Sequence, residues 1–289
     1  MLFFARDIFY QIYTLVMRYF KAICPTPVLN RSDFSSAFEK KEKDLLQSAT
    51  ILFKDLEMIA FPGTIFTILS TEPNFILKVE TEEYPSPYPI FVDSRFGVIS
   101  EKKELAPIKK LPQASLIIER LNQAVGLPYI WGGNYSKGIP EMMQYYSPSS
   151  HSLSVVDPFW TFKGVDCSGL LYEATDGIAP RNTSELLFFG EVVAIAGLKE
   201  MEIASLIRPL DLIVWKGHVI VTINSMEVIE SNHASGKVII GNTLSRLNEL
   251  MKGKAPINDP SLAYEDEEFF VIKRFMHEYS DTPSSLRHL

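Results

Sequence analysis

The first 25 residues carry large apolar side chains spaced three to five positions apart. These are Phe4, Ile8, Ile12, Leu15 and Phe20. Such spacing predicts an amphipathic helix that docks on the body of the protein. The longest uncharged run there is ten residues, against the about 20 that a membrane-spanning helix needs, and no small-residue cleavage site follows it. An alternative is weak association of residues 1–25 with a membrane surface.

A polar stretch with charges on most faces follows at residues 32–48, and Ser32 stands where a helix cap is expected. We therefore predict an N-terminal helical segment over residues 1–48. The pattern changes at Ala49, where short β-branched and aromatic runs are separated by turns containing proline or glycine. Roughly four to six short strands of this kind are typical of a small barrel. The sequence predicts an SH3-like β-barrel with its linker over residues 49–110.

Residues 111–278 combine helical and strand patterns and predict an α+β domain, with a polar tail at 279–289. Helices are expected at "SLIIERLNQAVG", "CSGLLYEATD" and "TSELLFFGEVVA". Residues 135–163 form a loop-like insert without a strong period. From Leu210 onward, β-branched runs separated by turns predict an antiparallel sheet.

Composition changes this picture only by exclusion. The formal net charge of −7 argues against a nucleic-acid binder, because neutralising phosphates needs an excess of Lys and Arg. The two cysteines, Cys24 and Cys167, cannot build a disulfide framework and lack the spacing of a zinc site. We expect a monomer with no cofactor and no metal.

The run "GVDCSG" contains the candidate nucleophile, Cys167. A cysteine nucleophile reacts as a thiolate, so its pKa must fall from about 8.5 toward neutrality. Cys167 stands at the start of an apolar helix, where the macrodipole favours negative charge, and Asp166 stands near the cap. Gly169 would allow a close approach of another backbone or a substrate.

A candidate base, His218, opens the β-run "HVIVTI" directly after a turn. The following hairpin places residues 230–232 nearly opposite it, so Glu230 or Asn232 is expected to hold the imidazole tautomer. His233 is disfavoured by register. Each of these residues alone is more often structural, but together in this order they favour a catalytic site.

Five elements in order carry a resemblance to a known family. They are "GLPYIWGG", "DCSGLLYEA", "GIAPRNTSELLFFGE", "RPLDLIVW" and "HVIVTINSMEVIES". Through them, residues 112–275 resemble the NlpC-type cell-wall peptidases, papain-like cysteine peptidases that cut peptidoglycan stem peptides. With an SH3-like barrel ahead of it, the domain is similar to the subgroup that cleaves between γ-D-glutamate and the following diamino acid.

The resemblance implies a catalytic triad. Cys167 matches the nucleophile and His218 the base, and Glu230 falls where the family places its third polar residue, commonly a histidine. Tyr129 matches a tyrosine that reaches the active site and helps the oxyanion. The resemblance thus implies a Cys-His-Glu peptidase that works through an acyl-enzyme.

The resemblance also implies substrate contacts. Asp166, Ser168 and Ser184 match positions that contact the substrate, including the free amine of an N-terminal L-alanine. In the subgroup a barrel tyrosine closes the cleft, and Tyr84 and Tyr88 are equal candidates for it. The expected partners are peptidoglycan stem peptides or muropeptides, and recycled muropeptides would place the protein in the cytoplasm. The alternative is a periplasmic or inner-membrane-associated location.

Two features besides Glu230 depart from the family pattern. Leu210 stands where the family has a glycine, in "RPLD". About 30 residues separate "WGG" from "DCSG", where the family has a short link. This insert is expected to border the cleft as a lid or as an added substrate wall.

Other functions compatible with these residues keep the site and change its chemistry. A thiol acyltransferase at a membrane surface would use the same nucleophile with a different acceptor. A non-catalytic peptidoglycan-peptide binding module would use the cleft alone. A zinc site of Cys167, His218 and His233 is a remote option, because no other residues supply ligand spacing.

Overall fold

Two large antiparallel sheets with flanking helices make up the structure, a computed structural model that describes residues 17–48, 52–149, 158–263 and 268–276. The first sheet lies before residue 101 and the second after residue 190. In these described ranges, every helix is too short or too polar to cross a membrane. The second half combines helices and an antiparallel sheet, as the predicted α+β class requires, and the first half adds a second large sheet.

The first sheet has seven strands in the order β3-β2-β6-β5-β4-β1-β7. They are β1 (Arg18–Ala22), β2 (Thr26–Leu29), β3 (Leu56–Ala60), β4 (Ile65–Thr71), β5 (Ile76–Glu80), β6 (Ile90–Asp93) and β7 (Gly97–Ser100). Five of the seven follow residue 49, within the predicted number. In the described residues, no pairing joins the outer strands β3 and β7, so the structure shows a sheet and the SH3-like barrel stays a prediction.

Strands β1 and β2 correct the predicted N-terminal helical segment. Phe20 and Ala22 are buried and alternate with more exposed neighbours, which is the period of a strand rather than of a helix. The apolar positions Phe4, Ile8, Ile12 and Leu15 lie outside the described residues. A domain boundary at residue 49 is therefore wrong, because it would cut the first sheet in two.

Helix α1 (Phe34–Gln47) confirms the helix predicted at residues 32–48. Its cap is Asp33, whose Oδ1 accepts a hydrogen bond from the N–H of Ser36 at 3.1 Å. The predicted cap, Ser32, is one residue too early. The buried face of α1 packs Phe34 and Phe38 into the core of the first sheet.

The second half begins with short elements. They are α2 (Ala114–Gln123), β8 (Asn134–Tyr135), α3 (Met142–Tyr145), β9 (Gly164–Val165), α4 (Cys167–Ala174), α5 (Thr183–Leu186), β10 (Glu191–Val193) and α6 (Glu200–Leu206). The helix predicted from "TSELLFFGEVVA" is only four residues long. Gly190, at φ 84°, lies between α5 and β10. The sequence pattern assigns the residues of β10 to the predicted helix.

The second sheet supplies the strands predicted after Leu210. They are β11 (Asp211–Trp215), β12 (His218–Thr222), β13 (Glu227–Asn232), β14 (Lys237–Asn242), β15 (Ala255–Pro256) and β16 (Phe269–Arg274), with α7 (Thr243–Leu250) after β14. The order is β10-β16-β11-β12-β13-β14, and β15 pairs with β16. Leu210 itself has φ 65° and is 1% exposed, so a leucine holds a backbone conformation that favours glycine while its side chain fills the core.

The described parts of the insert, residues 135–149 and 158–163, pack on the first half of the molecule. Trp160 and Phe162 of the insert are buried in one cluster with Phe38 of α1 and Phe53. The chain therefore leaves the first half, returns to its core through the insert and then completes the second half. This packing explains why a long segment between "WGG" and "DCSG" is tolerated.

Asn134 fixes the second half against the first sheet. Its Nδ2 donates to the carbonyl of Ile59 at 2.8 Å, and its Oδ1 accepts from the N–H of the same residue at 2.8 Å. Gly132, at φ 70°, lies so close that a Cβ there would be 2.4 Å from the carbonyl oxygen of Leu56. The glycine and the amide thus serve the junction between the two halves.

We expect Asn134→Leu to lower the free energy of unfolding by about 2 to 4 kcal/mol, because both buried backbone groups of Ile59 lose their partner. Urea denaturation measures the change. Asn248→Leu is the matched control, since that amide is exposed on α7. Equal stabilities of the two variants would contradict a role for Asn134 at the junction.

Candidate active site

Cys167 is the first residue of α4, and Asp166 caps this helix. The Oδ1 of Asp166 accepts a hydrogen bond from the N–H of Gly169 at 2.7 Å. A Cβ on Gly169 would lie 1.9 Å from the carbonyl oxygen of Gly133. The glycine of "DCSG" therefore lets α4 approach the "WGG" segment, which places the cysteine at the junction of both halves.

The thiol of Cys167 is 7% exposed and lies beside the start of β12. Its Sγ is 3.8 Å from the carbonyl oxygen of Gly217, the residue before His218. Burial, with the nearby charge of Asp166, raises the pKa of the thiol to about 12, although backbone hydrogen bonds from Val219 and Ser168 oppose this. The expected fall of the pKa toward neutrality is therefore wrong for this state, because loss of hydration outweighs the helix N-terminus.

His218 begins β12 and is oriented by a carboxylate on the next strand. Its Nε2 lies 2.6 Å from Oε2 of Glu230, which is 4% exposed. The imidazole also lies against the ring of Trp215, with centroids 4.9 Å apart. Of the two residues that register left open, the structure thus brings Glu230 to the histidine, and Asn232 donates to Glu230 at 3.2 Å.

The ionisation of Glu230 fixes the protonation of the imidazole. Burial alone would raise the pKa of Glu230, but hydrogen bonds from His218 and Arg246 lower it to about 2. A carboxylate can only accept, so the proton of the short contact belongs to Nε2 of His218. In the neutral imidazole, Nδ1 is then the acceptor, which is the state that a general base needs.

A cleft of about 520 Å³ opens at Cys167 between the two halves. The first sheet and its loops contribute Lys54, Glu57, Tyr84 and Tyr88, among other residues. The second half contributes Tyr129, Trp131, Asp166, Cys167, Ser168, Arg181, Ser184 and Gly217. Seven of the predicted site residues line this cleft, whereas His218 and Glu230 are not part of its lining. The described part of the insert does not line it, so a lid formed by those residues is not seen.

Arg181 is a site residue that the sequence analysis missed. The guanidinium is 3% exposed and binds both oxygens of Asp166, at 3.0 and 2.6 Å. It also donates to the hydroxyl of Ser168 at 2.9 Å. The residue stands within "GIAPRNTSELLFFGE", one of the quoted elements, and only the fold shows that it reaches Asp166 and Ser168 on either side of Cys167.

Glu57 is a second missed residue, and it pairs with one of the two candidate tyrosines. The hydroxyl of Tyr84, which is 4% exposed, donates to Oε2 of Glu57 at 2.5 Å. Burial, together with this carboxylate, raises the pKa of Tyr84 well above its usual range. Tyr88 is 65% exposed at the cleft wall. Tyr84 is thus part of the wall itself, and Tyr88 stands at its outer side.

Tyr129 faces the cleft near both Asp166 and Cys167. Burial raises the pKa of Tyr129, and the nearby acidic groups of Asp166 and Cys167 raise it further. The phenol therefore stays protonated and able to donate a hydrogen bond. Its ring meets His233 edge-on at 5.3 Å.

No set of three His, Cys, Asp or Glu side chains suited to holding a metal occurs in the described ranges. His233 contacts Tyr129, whereas His218 is bound to Glu230. The zinc site considered from the sequence therefore has no support from this geometry.

Comparisons with known proteins give weak similarities only. No family model and no curated protein matches the chain. Among solved structures, it is similar to the peptidoglycan hydrolase RipB of Mycobacterium tuberculosis, with 20% identity, a TM-score of 0.33, and 57% of this chain and 65% of RipB covered. An NlpC/P60 family protein of Bacillus cereus has 19% identity and a TM-score of 0.33, with 89% of this chain and 63% of that protein covered.

A third similar structure is RipD of Mycobacterium tuberculosis, described as a non-catalytic NlpC/p60 domain protein adapted to peptidoglycan binding. It has 16% identity and a TM-score of 0.33, with 57% of this chain and 99% of RipD covered. The chain spans less than two thirds of RipB and of the Bacillus cereus protein.

Proposed function

We propose that the protein is a cysteine endopeptidase of the NlpC type that hydrolyses peptidoglycan stem peptides at the bond between γ-D-glutamate and a diamino acid. The observation that carries the proposal is the hydrogen bond between Nε2 of His218 and Glu230. His218 begins β12, and Cys167 lies beside the start of that strand. We take the first sheet to be an SH3-like module, and its residues form one wall of the cleft.

The proposed reaction uses a thiol that is protonated at rest. Nδ1 of His218 takes the proton of Cys167 while Sγ bonds to the substrate carbonyl carbon. The backbone N–H of Cys167 and the hydroxyl of Tyr129 stabilise the oxyanion. The C–N bond of the substrate then breaks. The leaving amine takes the proton from His218, and a thioester with Cys167 remains. Water then hydrolyses the thioester, which gives a carboxylate and the free thiol.

One end of the cleft is suited to a free amine. Glu57 and Asp166 both line the cleft. Asp166 is paired with Arg181. Glu57, by contrast, accepts hydrogen bonds from the neutral groups of Tyr84 and Asn30 and keeps its charge for an ammonium. An ammonium group of an N-terminal L-alanine would be held there by charge-assisted hydrogen bonds. Peptides with such an amine arise from wall turnover, and a cytoplasmic location is proposed on that ground.

The test is digestion of L-Ala-γ-D-Glu-diamino acid peptides with a free or an acetylated N-terminus, with the products identified by mass. We expect cleavage after γ-D-Glu, and a KM about tenfold or more lower for the free amine, since acetylation removes a charge-assisted contact. Glu57→Gln should raise KM for the free amine only. Glu83→Gln is the control, because Glu83 pairs with Lys109 and does not line the cleft.

Cleavage at another bond, or equal KM values for both peptides, would contradict the proposed specificity. A non-catalytic binding module is the second candidate, and the burial that raises the pKa of Cys167 favours it. Binding of the free-amine peptide without any product would support that candidate against the peptidase.

A further inference from the structure

Arg246, on α7, holds the carboxylate that orients the candidate base. Its Nε donates to Oε1 of Glu230 at 2.8 Å, and one of its terminal nitrogens donates to Oε2 at 3.2 Å. Oε2 is also the atom that His218 contacts at 2.6 Å. The planar guanidinium therefore grips both oxygens and fixes the plane of the carboxylate.

Arg246 is placed for this role by the strand and helix that carry it. Asn242 ends β14 and caps α7, accepting a hydrogen bond from the N–H of Ser245 at 3.0 Å. The next residue is Arg246, so its side chain starts from a capped first turn that packs beside β14. The other terminal nitrogen donates to the exposed Glu249 at 2.8 Å.

The charged and titratable groups around His218 and Glu230 come from several elements. They are Cys167 from α4 with the adjacent Asp166, Glu230 from β13, Arg246 and Glu249 from α7, and Lys254, which lies over the ring of Trp215. Arg246 is the member of this set that contacts both Glu230 oxygens. All three nitrogens of its guanidinium are engaged by Glu230 and Glu249, so Arg246 acts on the carboxylate rather than on a substrate.

We propose that Arg246 is a positioning residue, whose grip on Glu230 keeps the neutral His218 in the tautomer with the proton on Nε2. This inference rests on the proposed function only for its kinetic consequence. Without the guanidinium, the carboxylate turns among several rotamers and the proton divides between Nε2 and Nδ1. A molecule with the proton on Nδ1 cannot accept the proton of Cys167 through that nitrogen.

The direct test is the tautomer of His218. It is read from the ring ¹⁵N chemical shifts of histidine-labelled protein at a pH where the imidazole is neutral. The resonances are assigned by their loss in His218→Gln. We expect the Nε2-protonated form in the native protein, a mixture in Arg246→Met, and an intermediate result in Arg246→Lys, which keeps the charge without the planar fork. Lys252→Met is the matched control, because it removes an exposed positive charge just after α7, and it should resemble the native protein.

An unchanged tautomer in Arg246→Met and Arg246→Lys would overturn the proposal. So would an equal shift in Lys252→Met, because the loss of any nearby positive charge would then have the same effect as the loss of Arg246. Where Arg246→Met fails to fold, Arg246→Lys alone decides.

Kinetics give the second readout. We expect kcat to fall about 10- to 100-fold in Arg246→Met with KM unchanged, since the cleft is intact. An inactive native protein with the expected tautomers would reject the peptidase and keep the positioning role. Full activity of Arg246→Met together with an unchanged tautomer of His218 in that variant would reject the positioning role and keep the peptidase.

Discussion

Replacing Cys167 by alanine is expected to abolish cleavage of the free-amine stem peptide, lowering kcat by roughly 10⁴-fold or more. The thiol is the proposed nucleophile, and within the described cleft lining it is the one sulfur. Alanine keeps the small volume of the side chain, so the melting temperature should change little. Product formation by mass spectrometry and a thermal unfolding curve together check the expectation.

The chain offers a matched control in its other cysteine. Cys24 lies half-buried in the first half, with its Sγ 3.5 Å from the carbonyl oxygen of Phe96, and burial also raises its pKa, to about 11. Cys24→Ala should therefore keep full activity. Native activity in Cys167→Ala, or its loss in both variants, would reject Cys167 as the nucleophile.

Replacing Arg181 by methionine is expected to lower the free energy of unfolding by about 3 to 5 kcal/mol. The guanidinium is the buried partner of Asp166, so its removal leaves a carboxylate without its counter-charge beside the helix cap. Because Asp166 caps α4, the first turn that carries Cys167 should be disturbed as well. Urea denaturation gives the change in stability, and kcat should fall in parallel.

Arg120→Met is the control for removing an arginine. Its guanidinium is 33% exposed and pairs with Asp176, which is 54% exposed, so we expect a loss of at most about 1 kcal/mol. The double variant Asp166→Asn with Arg181→Met should recover part of the stability, since no buried charge is left unpaired. A loss in Arg181→Met no greater than in Arg120→Met would contradict the structural role of the pair.

Local patterns predicted the elements around the site well. The start of α4 at Cys167, the cap at Asp166 and the hairpin that brings Glu230 near His218 all follow from short-range rules of capping and pairing. These rules depend on residues less than 20 positions apart, which a single sequence displays directly. The catalytic roles of these residues stay predictions.

Long-range partners could not be predicted in this way. Glu57 meets Tyr84 across the first sheet, and Arg181 reaches Asp166 only because α4 packs into the junction. The strand at Phe20 was mistaken for a helix, because its few apolar positions fit both periods. Burial of Cys167 also depends on the whole fold, and for that reason the direction of its pKa shift could not be inferred from the helix start alone.

Two connections join the halves: the backbone between residues 101 and 112, and the return of the insert into the core of the first half. Trp160 and Phe162 share a core with Phe38, so a single break of the backbone between residues 101 and 112 would leave two fragments still joined by that core. We therefore expect heat or denaturant to disrupt both halves in one cooperative event, since separating them would expose aromatic surface. The cleft at Cys167, which both halves line, accordingly exists only while the whole molecule is folded.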